Sequence, residues 1–378
     1  MGVRCLLLLA VLLLAGDHGG EAQPLVPGVF TFGDSSVDIG NNDYLHTLIK
    51  ADFPPYGRDF PNRVATGRFC NGKLATDITA DTLGFTSYPP AYLSPQASGK
   101  NLLIGVNFAS AGSGYYDHTA LMYHAVPFSQ QLEYFREYQS KLTAFAGSSQ
   151  AKSIISGSLY IVSFGASDFV QNYYINPLLF KTQTVDQFSD RLVSIFVNSA
   201  TQLYGMGARR IAVTTLPPLG CLPAAITLFG HGSTGCVSRL NSDSQRFNGK
   251  MSAAVSSLSK RYHDLKIAVF DIYTPLFSLV TSPGDQGTTT VTRPKASGCH
   301  AWHCLCFPGI AALRSIVHAQ LWARLWCQGS RRRSGDAAGR ERWSSRCSSA
   351  TPSRWGRART RQPTCSGTPS TRRRRPTK

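Results

Sequence analysis

A serine stands in a short turn-like segment directly after an apolar run. The residues Phe32–Asn42 read FGDSSVDIGNN, and Ser35 is the first serine of this stretch. A preceding strand would carry the chain to the carboxyl edge of a sheet, where open α/β folds bind their ligands. Gly33 permits a tight turn, and Ser35 would then lie near the start of a helix, whose N–H groups stabilise negative charge. These features suit a nucleophile, although turn chemistry alone is at least as consistent with Asp34 or Ser35 acting only as a helix cap.

Five short apolar runs predict the strands that would position this turn. Each is almost continuous in apolar residues and is followed by Gly, Asp or Pro, which is typical of strands buried on both faces of a parallel sheet. The runs are Val29–Phe32, Leu102–Phe108, Leu159–Phe164, Ile211–Thr215 and Ile267–Ile272. Helical patterns lie between them, the clearest at Val185–Tyr204 and another at Val237–Tyr262. The alternation predicts a three-layer, doubly wound α/β/α sheet of about five parallel strands.

The charge is distributed very unevenly along the chain. The net charge of the 378 residues is +18, but residues 288–378 contain 19 Lys and Arg against 2 Asp and Glu, and residues 1–287 contain 20 against 19. The basic character therefore belongs to the tail, and it does not indicate that the body binds nucleic acid. Arginine runs among Ser, Gly, Pro and Thr predict a disordered tail from residue 288 onward.

The N-terminus has the pattern of a secretion signal. Arg4 precedes the apolar run Cys5–Ala15, and small residues lead to a cleavage point near Ala22. We therefore expect a signal peptide at residues 1–22 and a secreted, extracellular protein. No apolar run reaches the roughly 18–20 residues that a transmembrane helix needs. Secretion permits disulfides, and Cys221 and Cys236 are a candidate pair because they enclose a short loop containing glycines.

Several segments, in order along the chain, resemble conserved blocks of the GDSL or SGNH hydrolases in the form found in plant extracellular lipases. The matching segments are Phe32–Asn42, Ala65–Lys73, Asn107–Gly114, Gly165–Phe169 and Leu216–Pro223, with later landmarks at Cys236, Asn241 and Phe247–Asn248. The resemblance spans roughly residues 27–287 and implies the flavodoxin-like SGNH hydrolase fold. We therefore expect a hydrolase domain at residues 23–287, incomplete at its C-terminal end.

The resemblance also implies roles for individual residues. Ser35 matches the nucleophile that attacks an ester carbonyl, and the N–H groups of Ser35 and Gly112 would form an oxyanion hole with the side chain of Ser167. The family usually has Asn at this third position, so we expect a variant hole in which a hydroxyl donates. The alternative is that Ser167 only caps a turn. The supporting positions are Gly33, Asp34 and Asp168.

The general base is missing from the expected place. A serine hydrolase needs a His and an acid that orients it, and the family takes both from an Asp-x-x-His block near its C-terminus. The sequence has such a spacing only at Asp43–His46, eight residues after Ser35, where we expect no catalytic dyad. Suitable codons for Ser366–Lys378, read one nucleotide earlier, encode FWDSVHPPEAANK, which resembles the missing block. Our hypothesis is that the reading frame is lost near residue 288.

The resemblance implies a secreted carboxylic-ester hydrolase, an esterase or lipase, that works through an acyl-Ser35 intermediate. The alternative is a catalytically inactive, frame-shifted family member that lacks the Asp and His of the triad. A binding role for the basic tail has no zinc-finger spacing or helical periodicity to support it. We expect a small acyl ester or lipid as substrate, no nucleic-acid partner, no metal or cofactor, and a monomer.

Overall fold

The computed structural model describes residues 23–282, and the predictions made for residues 1–22 and 288–378 lie outside this range. Its centre is a parallel sheet. The strands, in chain order and in spatial order, are β1 (Val29–Gly33), β2 (Leu159–Ser163), β3 (Arg210–Thr214) and β4 (Lys266–Phe270). All three pairings are parallel, and β1 and β2 run in register from Val29 opposite Leu159 to Gly33 opposite Ser163. The carboxyl ends of β1 and β2 therefore reach the same edge together.

Helices occupy most of the connections. Within residues 23–282 the α-helices are α1 (Ala75–Thr82), α2 (Asp117–Leu121), α3 (Phe128–Ala146), α4 (Ser148–Gly157), α5 (Pro177–Thr182), α6 (Val185–Gly205), α7 (Pro223–Phe229), α8 (Ser238–Arg261) and α9 (Tyr273–Thr281). The predicted helices at 185–204 and 237–262 are confirmed as α6 and α8. The start of α6 is set by a capping box, in which the Thr184 hydroxyl accepts from the Gln187 N–H and the Gln187 side chain accepts from the Thr184 N–H.

The two faces of the sheet bury different sets of strand residues, as the two-residue period of a strand requires. Alternate residues of each strand, such as Phe30 and Tyr160, join the main core with apolar side chains of α3, α4, α6 and α8. Val29, Leu159, Ile161 and Ala212 face the other way, where they form a smaller cluster with residues of and just after α1. The structure thus confirms a parallel sheet with helices on both faces.

The side of the sheet that carries α1 also has an apolar groove. It encloses about 100 Å³ and lies between α1 and the strands β2, β3 and β4. Its lining includes Ala75, Thr79, Ile161, Ala212, Ala268 and Ile272. The main core lies on the opposite face. Among the described residues, that face is therefore covered by more helices than the face that packs against α1.

The prediction of a strand at Leu102–Phe108 is wrong in its extent. The first part of this segment belongs to a 3₁₀ turn, Gly99–Ile104. Gly105 follows with φ of +89°, and a Cβ there would lie 2.2 Å from the Val29 carbonyl oxygen, so the extended run is interrupted where the chain passes closest to β1. Only Asn107 bridges Thr31 in parallel, with hydrogen bonds from Thr31 N–H to Val106 and from Phe108 N–H to Thr31. The sheet therefore has four strands rather than about five, with this edge segment beside β1.

Two further predictions concern cysteines and membranes. Cys221 and Cys236 form a disulfide, as the sequence suggested. No helix among residues 23–282 is long and apolar enough to cross a membrane.

Candidate active site

The turn after β1 is held by a glutamine from a helix. Gly33 is the last residue of β1, and its N–H donates to Gln131 Oε1 over 3.0 Å, while Gln131 Nε2 donates back to the Gly33 carbonyl over 3.1 Å. The Ser110 N–H also donates to that carbonyl over 3.0 Å. A Cβ on Gly33 would lie 2.2 Å from a methyl carbon of Val37 and 2.6 Å from the Ser163 carbonyl oxygen. The position therefore requires glycine because there is no room for a Cβ atom. Its backbone angles alone would allow other residues.

Ser35 is the second residue after Gly33 and lies between Asp34, which is buried, and Ser36, which is half-buried. The Asp34 N–H donates to the Ser163 carbonyl of β2, and the Asp34 carboxylate accepts from both the N–H and the hydroxyl of Ser36. Burial raises the pKa of Asp34 to about 6, against the opposing effect of the Ser36 hydrogen bonds and of the Ser167 N–H. Ser35 is buried, and 6 % of its surface is exposed to solvent. The turn thus presents Ser35 while its neighbours fix the backbone.

Asp38 ties this turn to the segment that follows the edge of the sheet. Its carboxylate accepts from the N–H groups of Gly40 and Asn41, both over 2.8 Å, and from the N–H of Ala111 over 3.0 Å. Burial raises the pKa of Asp38 to about 7, while these three hydrogen bonds lower it. The bond to Ala111 places Gly112, the next residue, beside the nucleophile turn.

Three asparagines complete the same connection. Asn41 Nδ2 donates to the carbonyls of Asn107 and Ala109, and Asn107 Nδ2 donates to the Val37 carbonyl. Asn42 Nδ2 donates to the Ala111 carbonyl, and its Oδ1 accepts from the Ser110 hydroxyl over 2.5 Å. Because all of these side chains are buried, their hydrogen bonds replace water and fix the geometry of both loops.

Gly112 has a backbone conformation that favours glycine. Its φ is +86°, a region in which side chains with a Cβ are strained. A Cβ added there would also lie 3.0 Å from Ile49 Cδ1 and 3.2 Å from Tyr123 Cβ. The segment around Gly112 can therefore turn its backbone, rather than a side chain, toward a ligand.

Asp168 joins the third segment to the second. Its carboxylate accepts from the Tyr115 N–H over 2.7 Å, from the Tyr116 N–H over 3.2 Å and from the Thr119 hydroxyl over 2.7 Å. A Cβ on Gly114 would lie 2.2 Å from Asp168 Oδ1, so the two loops touch directly. Burial raises the pKa of Asp168 to about 7, although its hydrogen bonds favour the ionised form. Ser167 precedes it, at the start of the π-helical turn Asp168–Tyr173.

Within residues 33–38 and 110–113, two backbone N–H groups have no acceptor among residues 23–282. They belong to Ser35 and Gly112, whereas the N–H groups of the residues on either side, at 34, 36, 111 and 113, are all hydrogen-bonded. The hydroxyls of Ser35 and Ser167 also have no hydrogen-bond partner in this part of the chain, and neither oxygen is fully enclosed. Unpaired donors beside an accessible hydroxyl are what an acyl-transfer site requires.

No general base contacts Ser35 within the described range. Asp43 lies in the 3₁₀ turn Asn41–Tyr44, and its Oδ1 atom is buried without a hydrogen-bond partner. His46 is exposed, and no hydrogen bond joins it to Asp43 or to Ser35. Among residues 23–282, no hydrogen bond therefore connects the Asp43–His46 pair to Ser35.

Sequence reasoning proposed Ser35, Gly112 and Ser167 as site residues but did not identify the residues that hold their loops in position. Gln131 is the clearest case, because it is a fully buried polar residue of α3 among Phe128, Leu132 and Phe135. A single amide on an otherwise apolar helical stripe was the available signal. The structural roles of Asp38 and Asn42 were equally hidden, since a turn-rich motif does not reveal which distant backbone groups its side chains will meet.

Comparison with known proteins agrees with this geometry. Residues 29–306 match the family model described as GDSL-like Lipase/Acylhydrolase. The chain is 64% identical over 269 residues to the GDSL esterase/lipase APG of Arabidopsis thaliana, covering 71% of this chain and 76% of that one. It is 56% identical over 276 residues to the GDSL esterase/lipase At5g22810 of the same plant, covering 72% and 76%. With a serine presented beside unpaired N–H donors and this extent of similarity, the chain belongs to the GDSL-like lipase/acylhydrolase family of ester hydrolases.

Proposed function

We propose that this protein is a secreted carboxylic-ester hydrolase in which Ser35 is the nucleophile. Ser35 Oγ attacks the ester carbonyl carbon, the serine proton passes to a base, and the alcohol leaves as the acyl-Ser35 ester forms. Water then attacks this acyl-enzyme, which releases the carboxylic acid and restores the serine hydroxyl. The observation that carries the proposal is the pair of unpaired N–H groups of Ser35 and Gly112 beside an unpartnered hydroxyl.

The oxyanion site in this proposal consists of those two N–H groups and the Ser167 side chain. Such donors act because they are already oriented toward the charge that develops on the carbonyl oxygen, and each is typically worth about 2.7–4 kcal/mol of barrier. Gly33, Asp34 and Asp168 are positioning residues. Their hydrogen bonds hold the turn after β1 and the loop before the π-helical turn in fixed positions.

Hydrolysis of p-nitrophenyl butyrate by the full chain and by Ser35→Ala tests the proposal. We expect release of p-nitrophenol by the full chain that falls to the uncatalysed rate in Ser35→Ala, with no change in the thermal unfolding temperature. Ser149→Ala, at an exposed position of α4, is the matched control for a serine-to-alanine change. Equal rates with and without Ser35 would contradict the proposal, and no turnover by the full chain would favour the alternative of a family member without a functional base.

A further inference from the structure

Gln171 is a buried residue whose side-chain amide has no partner. The residue is 8 % exposed, and its Oε1 atom is fully enclosed without a hydrogen bond. Its Nε2 atom also has no acceptor among residues 23–282, but it is not fully enclosed. Leaving a buried polar group unpaired typically costs about 1–3 kcal/mol. The enclosed Oε1 atom is not reachable by a ligand, but the Nε2 group is unpaired within this range and accessible, so it is free to donate to one.

The position of Gln171 places it beside the proposed oxyanion site. Ser167 has helical backbone angles and leads into the π-helical turn Asp168–Tyr173, so Gln171, four residues later, lies on the same helical face as Ser167. The Ser167 N–H in turn approaches the Asp34 carboxylate in the nucleophile turn. Short π-helical segments occur frequently at functional sites because the extra residue redirects side chains.

A second contact connects Gln171 to the Gly112 loop. The Tyr123 hydroxyl donates to the Gln171 carbonyl over 2.7 Å, and Tyr123 Cβ lies 3.2 Å from the point where a Gly112 Cβ would be. The backbone of Gln171 is therefore fixed relative to Gly112 through a single side chain, while its own amide is left unused. Fixed backbone and a free donor are the two requirements for a preorganised oxyanion contact.

From these contacts we propose that the Gln171 amide is a further catalytic donor, which gives an Nε2 hydrogen bond to the ester carbonyl oxygen and to the oxyanion formed from it. Ser167 carries a short hydroxyl on this face, and the longer amide one turn later adds a second side-chain donor beside it. No proton is transferred by Gln171; its N–H groups only stabilise the negative oxygen. The inference rests on the proposed function, since it requires an oxyanion at Ser35.

Binding of phenylboronic acid tests this inference without requiring turnover. The Ser35 oxygen adds to boron as its proton is released, which gives a tetrahedral anion that resembles the oxyanion intermediate. The dissociation constant is measured by ¹¹B NMR on the full chain and on Gln171→Leu, Gln171→Glu and Ser35→Ala. Gln150→Leu, at an exposed position of α4, is the control for a glutamine-to-leucine change.

We expect binding that depends on Ser35, is weakened on the order of 10-fold by Gln171→Leu, and is weakened further by Gln171→Glu. The glutamate has the shape of glutamine but places a carboxylate where a donor is needed. Adding Ser167→Asn to Gln171→Leu should restore most of the affinity, because it returns an amide to the same face, whereas a packing defect would not be repaired in this way. Gln150→Leu should bind like the full chain.

The possible failures are distinct. If boronate binding does not depend on Ser35, the proposed function fails and the role of Gln171 fails with it. If binding depends on Ser35 but both Gln171 variants bind as the full chain does, only the role of Gln171 is overturned. The same conclusion follows if both variants weaken binding equally, unfold at a lower temperature and are not rescued by Ser167→Asn, because Gln171 would then be a packing residue.

Discussion

Three aspartates near Ser35 are fully buried, and each of their carboxylates accepts hydrogen bonds from N–H or hydroxyl groups. Asp38 and Asp168 accept from backbone N–H groups of a neighbouring loop, and Asp34 accepts from the N–H and hydroxyl of Ser36 in its own turn. The hydrogen bonds favour the carboxylate, but burial outweighs them and raises the pKa of Asp34 to about 6 and the pKa of Asp38 and Asp168 to about 7. Folding therefore changes how strongly these groups hold a proton.

This change predicts a specific dependence of stability on pH. An unfolded aspartate ionises near pH 4, so between about pH 4 and pH 7 the folded protein binds more protons at these sites than the unfolded chain does. The free energy of unfolding should consequently fall as pH rises through this window and lose this dependence above about pH 7. Urea denaturation at intervals from pH 4.5 to pH 8 measures it. Asp168→Asn should flatten the slope, Asp52→Asn, at an exposed position, should not, and a stability that rises with pH in this window would contradict the prediction.

At the scale of single residues, the sequence was informative about residues in short motifs. It was uninformative about residues whose hydrogen-bond partners are distant in the sequence. Ser35, Gly112 and Ser167 stand in recognisable motifs, and the structure places all three on connected loops at one edge of the sheet. Gln131 and Gln171 carry no such mark. Their importance depends on which backbone groups lie opposite them after folding, and a helical pattern does not contain that information.

At the scale of elements, the chain forms a sheet whose strand order creates the site. With the edge segment at Asn107 counted, the chain passes first through β1, then to the edge beside β1, and then back across to β2 on the other side. A change of direction of this kind opens a crevice at the carboxyl ends of the strands, where doubly wound folds bind ligands. Ser35 follows β1, and Gly112 follows the edge segment, so the two sides of the crevice meet at the nucleophile.

The elements also show why one strand was predicted wrongly. The apolar run at 102–108 has the pattern of a buried strand, but this pattern does not reveal that the Gly105 backbone packs closely against Val29. The helices α6 and α8 were predicted within a residue at each end because long amphipathic stripes, caps and glycines agree with one another. Long periodic elements are specified locally, whereas a short edge strand depends on its neighbour.

The disulfide gives a prediction at this scale. Cys221 and Cys236 close a loop with a sequence separation of 15 between the 3₁₀ turn at Leu219–Cys221 and α8. Closing a loop of this size limits the unfolded chain and is typically worth about 3 kcal/mol. The double variant Cys221→Ser/Cys236→Ser should lower the free energy of unfolding by about 2–4 kcal/mol in urea denaturation.

Reduction provides the control for this variant. The unmodified protein treated with dithiothreitol should unfold at the same urea concentration as the double serine variant, whereas the variant itself should not respond to the reductant. An unchanged midpoint in the variant would mean that the loop is fixed by other contacts, such as the hydrogen bond from the Gly220 N–H to Asn241 Oδ1 over 2.8 Å.

At the scale of the whole molecule, the described residues contain the proposed nucleophile and oxyanion donors without a general base in contact with them. Ser35 and the unpaired N–H groups of Ser35 and Gly112 lie between residues 33 and 112, and no imidazole among residues 23–282 hydrogen-bonds Ser35. The α1 face of the sheet has an apolar groove of about 100 Å³ among the same residues. The body carries almost no net charge while residues 288–378 carry +17, which is an abrupt change of composition within one chain. We infer that the missing base, the groove and the change of charge have one cause, which is the loss of the reading frame near residue 288.

Restoring that frame gives the decisive comparison. A gene in which the codons after residue 287 are read in the frame that encodes FWDSVHPPEAANK should yield a protein with an Asp-x-x-His block. Because removing the base of a serine hydrolase typically costs several orders of magnitude in rate, the restored protein should hydrolyse p-nitrophenyl butyrate on the order of 10³-fold faster, or more, than the chain with its present tail. Ser35→Ala should abolish the gain, and so should alanine at the restored His. If the other frame encodes no such block, or if the restored protein is no faster, the frame hypothesis is wrong and the base must come from elsewhere in the chain.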